Sequence, residues 1–234
     1  MRAINKILSS LIIIAILLGI CSCGDGGDEP RYVEPDREYD EAEVLSAAAE
    51  LMEKSKAINE LYFGRGLEYD EKYSNGIYSK ATENSLLSFG ISSVAELKTK
   101  TFEVFSQNLS QRMIDTVLSS VKHENQTKYA RYYDYDDNGT KVVMVNRNYE
   151  YYLKGSSEYH DDIRVKDVEG KEIIIALTVT VVSESGKTKT MEIEVRMLEE
   201  EDGWRFSSAS DAVYNDNTDI YEDLEDELDK LFPS

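Results

Sequence analysis

The chain has 234 residues, a formal net charge of −20, two cysteines, two histidines, and sixteen tyrosines against six phenylalanines. An acidic excess of this size argues against a nucleic-acid partner, because grip on a phosphate backbone rests on clustered Lys and Arg. The cysteines stand at positions 21 and 23, so the rest of the sequence offers neither the ligands of a structural zinc site nor the thiol of a Cys/His peptidase.

The N-terminus reads as a targeting segment. Arg2 and Lys6 precede an apolar run over residues 11–20, and small residues follow. A membrane-spanning helix needs about 20 apolar residues, and this run is about half that. Ile20, Cys21, Ser22 and Cys23 resemble a bacterial lipobox: an aliphatic residue, a tolerant position, a small residue, then cysteine. Cys21 fits less well as acceptor because bulky Ile20 precedes it. The resemblance implies that Cys23 carries a diacylglycerol and, after cleavage, a further acyl chain such as palmitate. Several chains give firm anchorage where one binds only marginally. The expected organisation is a lipoprotein signal peptide over 1–22, a disordered acidic tether over 23–39, one domain over 40–210 and an acidic tail over 211–234. The protein is then expected on the extracytoplasmic face of a bacterial cell membrane, lipid-anchored through Cys23.

The charge is concentrated at the two ends. Residues 24–43 hold nine acids against Arg31 and Arg37, and residues 211–234 hold nine acids against Lys230. The tether is rich in Gly, Pro, Asp and Glu and lacks the apolar content to offset chain entropy.

A helix is expected from Asp40, which with Glu43 can form an N-terminal capping pair. Val44, Ala48, Leu51, Ser55, Ile58 and Tyr62 recur on one face, and Gly64 and Gly66 mark the stop. Residues 67–92 show no usable period. Ser93 and Glu96 open a second helix with Val94, Leu97, Thr101, Val104 and Phe105 inward, and Leu109, Met113, Ile114, Val117 and Leu118 mark a third. From Tyr129 the period becomes two. Tyr129, Arg131, Tyr133 and Tyr135 are expected on one face of a strand, and Asp136-Asp137-Asn138-Gly139 supplies a hairpin turn. Short strands are expected over 149–153 and 163–168, then a central strand over 173–182, a partner with Met191, Ile193, Val195 and Met197 inward, and a last strand with Trp204 and Phe206. Ile220, Leu224, Leu228 and Leu231 fall on one stripe of an expected amphipathic helix, placed to dock on its own domain or on a basic partner.

Helices followed by an antiparallel meander predict an α+β fold. The first helix ending near Leu61, Tyr62 and Phe63, the helix pair over 92–114, the tyrosine-rich strand with its Asp-Asn-Gly turn and the terminal Gly203-Trp204 resemble the cone-shaped nuclear-transport-factor-2-like and cystatin-like group. Within it they resemble secreted inhibitors of bacterial D,L-endopeptidases and their lipoprotein relatives. The resemblance spans residues 41–208 and implies helices packed on a curved antiparallel sheet of about six strands. It also implies restraint of an NlpC-type cysteine peptidase that cuts peptidoglycan peptides.

The candidate partner-binding residues are Tyr133, Tyr135, Tyr149 and Tyr152, within a cluster that includes Tyr132 and Tyr151, together with Arg65 between two glycines. Tyrosine rings give contact area at low rotamer cost, although half-exposed sheet positions favour tyrosine anyway. Residues 134–139 match the first half of a calcium loop, but the twelfth position is Val145 rather than Glu, and a hairpin turn explains the same letters. His160 and Asp162 are the nearest approach to an acid/base pair, and no nucleophile motif accompanies them. The reading is of a binding lipoprotein without enzymatic activity or cofactor. A small-molecule carrier or sensor using a cone cavity is the alternative, and a cavity acid/base enzyme the weakest.

Overall fold

A computed structural model of the chain describes residues 39–123, 126–150, 155–183, 185–208, 212–215 and 220–223. The signal segment, Cys23, the tether through residue 38, Tyr152 and the tail residues Leu224, Leu228 and Leu231 lie outside the described residues.

Helix α1 spans Glu41–Tyr62, and Asp40 caps it: its Oδ1 accepts from the backbone N–H of Ala42 at 2.9 Å and of Glu43 at 3.3 Å. All six residues of the expected stripe are buried, joined by Met52, Asn59 and Leu61. Replacing Asp40 with Ala leaves those two amides without their acceptor, and a loss of about 1 kcal/mol is expected in urea unfolding. The helix ends at Phe63. Gly66, at φ 72°, and not Gly64, takes the left-handed conformation.

Residues 67–92, where the sequence gives no period, form a hairpin and a short helix. Strands β1 (Tyr69–Asn75) and β2 (Tyr78–Ala81) flank a turn at Gly76, and Thr82 caps α2 (Glu83–Ser88). Helix α3 (Val94–Val104) has Ser93 as cap, its Oγ accepting from the Glu96 N–H at 3.1 Å. The Glu96 carboxylate reaches back one residue further than expected, to the N–H and hydroxyl of Ser92, and these bonds hold its pKa below the usual carboxylate value. Helix α4 (Gln107–Val117) buries Leu109, Met113, Ile114 and Val117 as expected.

Two short strands follow, β3 (Val121–His123) and β4 (Gln126–Lys128), then β5 (Tyr132–Asp137) and β6 (Thr140–Asn146). Asn138 at φ 53° and Gly139 at φ 87° make the two-residue turn between β5 and β6, the geometry that Asn-Gly favours. The remaining strands are β7 (Ser156–Tyr159), β8 (Arg164–Glu169), β9 (Glu172–Val182), β10 (Thr188–Glu200), β11 (Gly203–Phe206), β12 (Ala212–Asn215) and β13 (Ile220–Asp223). The strand expected over 149–153 has no counterpart at Tyr149 and Glu150, and its other residues lie outside the described set. Ile220, first residue of the expected helical stripe, stands in β13, which pairs with β12 as a hairpin.

The fold is α+β with antiparallel strands. The expected single sheet of about six strands is instead divided into a four-stranded sheet in the order β1-β2-β6-β5 and a five-stranded sheet in the order β11-β10-β9-β7, with β8 also on β9. β7 and β8 share one edge of β9: β7 pairs with residues 179–182 and β8 with residues 173–176 and Glu172. The core gathers α1, α3 and α4 with the inner faces of both sheets: Tyr132, Val143 and Val145 from one, and Ile175, Leu177, Val179, Ile193, Val195 and Met197 from the other. Phe206 closes it beside Phe105, with ring centroids 6.3 Å apart.

Candidate functional site

The outer face of the four-stranded sheet carries the aromatic cluster. Register puts Tyr133 opposite Met144 and Tyr135 opposite Val142, while Lys80 also faces Met144 and Tyr78 faces Asn146. Side chains alternate across a strand, so these residues share the face turned away from the core. Tyr78 and Tyr133 pack edge to face at 4.6 Å, and Tyr133 and Tyr135 at 6.4 Å. Met144, 0% exposed, and Val142, 6% exposed, form the floor beneath the rings.

The rings are held at their hydroxyl ends. Tyr78 donates to the Ala130 carbonyl at 2.9 Å, Tyr133 hydrogen-bonds with the Asn75 side chain, and Tyr73 donates to the Asp137 carboxylate. The Lys80 ammonium lies over the Tyr73 ring at 5.7 Å. The bond to Asp137 pushes the Tyr73 pKa up from the ordinary 10 to about 12. A group held protonated more firmly in the folded chain contributes stability that is complete below the ordinary value and fades as pH rises toward the raised one. Ultraviolet titration is therefore expected to show a tyrosine transition near pH 12 that moves down in Asp137→Asn. An unchanged titration in that variant would contradict the assignment.

Among the described residues singled out in the sequence, Tyr133 and Tyr135 meet on this face, while Tyr151 and Tyr152 lie outside the described residues. Tyr149 packs elsewhere, its ring 5.0 Å from the Arg131 guanidinium. Arg65 sits in the exposed loop after α1, where its N–H donates to the Glu60 carboxylate at 2.8 Å. Tyr132 belongs to the core at 1% exposure. Arg131, expected beside Tyr133, is 3% exposed and points to the end of α1, donating to the carbonyls of Tyr62 and Gly64. Tyr73 and Tyr78, which complete the cluster, come from the hairpin that the sequence hides.

The other constellations are absorbed by structure. Asp134 accepts from the Val94 N–H at 2.8 Å and so caps α3 from the sheet, while Asp136 accepts from the Gly139 N–H at 2.6 Å within the turn. The first and third positions of the calcium-like pattern thus serve a helix end and a hairpin. His160 bonds through Nε2 to the Thr180 hydroxyl at 2.8 Å. Asp162 accepts from the N–H and hydroxyl of Thr178, which together hold its pKa below the usual range. On that side the five-stranded sheet shows a lattice of ion pairs, Arg164 with Glu192, Lys166 with Glu194 and Arg196 with Glu169 and Glu172. Their stems cover Ile174 and Ala176, so this face is filled by its own side chains.

A cleft of about 220 Å³ opens between α1 and α3. Ile58, Leu61, Leu97 and Val104 form its floor, Phe89 and Ile91 its side, and Lys54, Lys100 and Glu103 its rim. Ile91 is placed there by the end of α2: the Gly90 N–H donates to Leu87 and the Ile91 N–H to Leu86, with Gly90 at φ 62°, the bonding of a Schellman motif.

Comparison of the chain with protein families, with curated proteins and with solved structures found no match. The functional reading therefore rests on the residues themselves.

Proposed function

We propose that the chain is an extracytoplasmic lipoprotein, held on the membrane through Cys23, that binds a protein or cell-wall partner through the outer face of its four-stranded sheet and restrains a peptidoglycan D,L-endopeptidase. The observation that carries the binding reading is the cluster of Tyr73, Tyr78, Tyr133 and Tyr135. Four amphipathic rings, oriented by ring contacts and, for Tyr73, Tyr78 and Tyr133, by hydroxyl bonds, are gathered on one solvent-facing sheet surface. Preset rings lose little entropy on contact, which is why such residues dominate interface energetics. The overall charge of −20 favours encounter with a basic enzyme.

The test combines anchorage and action. Mass spectrometry of the mature protein is expected to find acylated Cys23, and Cys23→Ala is expected to leave the membrane fraction. The purified protein is expected to slow an NlpC-type enzyme at near-stoichiometric ratio, less so as salt shortens the Debye length below about 10 Å. Tyr133→Ala with Tyr135→Ala is expected to weaken inhibition at least tenfold, by analogy with interface hot spots. Several such enzymes left untouched by folded protein would overturn the inhibitory reading.

A further inference from the structure

Among the described residues the four-stranded sheet ends at β5, the strand that carries Tyr133 and Tyr135. Which of its backbone groups face the open side follows from the turn. Asn138 and Gly139 close a two-residue hairpin, so Asp137 and Thr140 are a hydrogen-bonded pair, and with them Tyr135 and Val142, then Tyr133 and Met144. The Arg131 carbonyl continues the series, accepting from the Asn146 N–H at 2.8 Å. The N–H and C=O of Asp134 and Asp136 therefore point away from β6, along the open edge, and both residues are exposed.

Edge strands ordinarily carry a device against further pairing. β1 has its bulge between Asp70 and Ser74, β8 shifts register between Val165 and Asp167, and β7 and β11 are each four residues long. β5 keeps six consecutive pairs with β6, without a bulge or a proline. What it carries instead is charge. Asp134, Asp136 and Asp137 stand against one ammonium on β6, that of Lys141. The bonds these carboxylates accept, from the N–H of Val94, the N–H of Gly139 and the hydroxyl of Tyr73, come from neutral donors and leave the negative charge in place. A second copy of β5 would set like charges side by side, whereas a basic strand would set opposite ones there.

Resting on the binding reading above, we propose that β5 takes an extended, basic segment of the partner enzyme as an added antiparallel strand. Main-chain bonds form at Asp134 and Asp136. Partner residues opposite these two share the face of their carboxylates and are Lys or Arg, and the residues between lie beside Tyr133 and Tyr135 and are apolar. Main-chain pairing sets the alignment, and the rings and carboxylates select the sequence.

The probe is a blocked peptide of alternating Lys and Val, as long as β5, titrated into the full chain with amide exchange read by NMR. With a dissociation constant on the order of 1 mM, ~10 mM peptide is expected to slow exchange of the Asp134 and Asp136 amides about tenfold. The Tyr133 and Tyr135 amides, already bonded to β6, are expected to change little. N-methylation of the peptide's lysines, whose N–H groups face β5 in this pairing, is expected to abolish the protection. N-methylation of its valines, whose N–H groups face solvent, is expected to preserve it, and a peptide with Glu in place of Lys is expected to give none. Asp136→Pro, which removes one outward N–H and none of the bonds to β6, is expected to lose peptide binding and enzyme restraint together. Protection that never develops, that survives lysine N-methylation or that is lost equally on valine N-methylation would overturn the proposal. An enzyme restrained by Asp136→Pro as strongly as by the parent would overturn the edge as the contact and leave the tyrosine face standing. Peptide held at the edge while no NlpC-type enzyme is restrained would overturn the inhibitory reading and leave the edge as a docking line.

Discussion

Replacing Arg131 with methionine is expected to lower the unfolding free energy by about 2–4 kcal/mol, read from urea denaturation at neutral pH. The guanidinium is 3% exposed and donates to the carbonyls of Tyr62 and Gly64, two acceptors that the end of α1 leaves without helical partners. It also lies against the rings of Tyr132 and Tyr149, at 5.3 and 5.0 Å from their centroids. Methionine keeps the stem's packing and removes a costly buried charge, a change that is neutral in many buried ion pairs. Here the balance falls the other way. Two buried carbonyls lose their donors at about 1–3 kcal/mol each, and the charge removed was already spread over a planar group stacked between aromatic faces. A variant as stable as the parent would show that water replaces the guanidinium at the helix end.

Gly66→Ala is expected to cost about 2–3 kcal/mol. At φ 72° the left-handed backbone alone penalises any side chain by about 1–2 kcal/mol. The added Cβ would also stand 1.9 Å from the Tyr132 hydroxyl and 2.4 Å from Arg131 Nη2. Neither can simply swing away. The Tyr132 hydroxyl accepts from the Leu67 N–H at 3.2 Å within the core, and the Arg131 arm is fixed by its carbonyls. Because the two substitutions act on one cluster, the double variant is expected to cost less than the sum of the singles. Strict additivity would mean that the glycine clash is relieved without moving Arg131.

What the sequence makes legible follows from how each residue earns its place. The inner face of α1 is readable because about six turns of helix repeat one apolar stripe against one core, and the β5–β6 turn because Asn138-Gly139 has few other uses. The first hairpin is not readable: β1 is an edge strand with nearly all side chains outward and a bulge between Asp70 and Ser74, so alternation never develops. Half of the tyrosine cluster was hidden with it. Arg131 misleads for a different reason. A period of two carried back from Tyr133 places it outward, yet its N–H is still bonded to the Val117 carbonyl at 2.8 Å and β5 starts only at the next residue. Its role depends on carbonyls at the end of α1, a partner 69 residues away that no local pattern can announce. Met144 and Val142 show the converse. Four consecutive apolar residues in β6 announce burial on both faces, but what covers the outer one is supplied by three other strands.

The join between β2 and β6 bears on the order in which the chain folds. Tyr78 pairs with Asn146 across the whole of α2, α3 and α4, whereas β9, β10 and β11 follow one another through short turns. Loop closure over so long a segment is slow relative to local hairpins. The C-terminal meander is therefore expected to acquire amide protection first in pulsed hydrogen exchange, and the β2–β6 amides last. The surface offered to a partner would then be the final part of the protein to exist, so that a chain competent to bind through its tyrosines is one that has already completed its core.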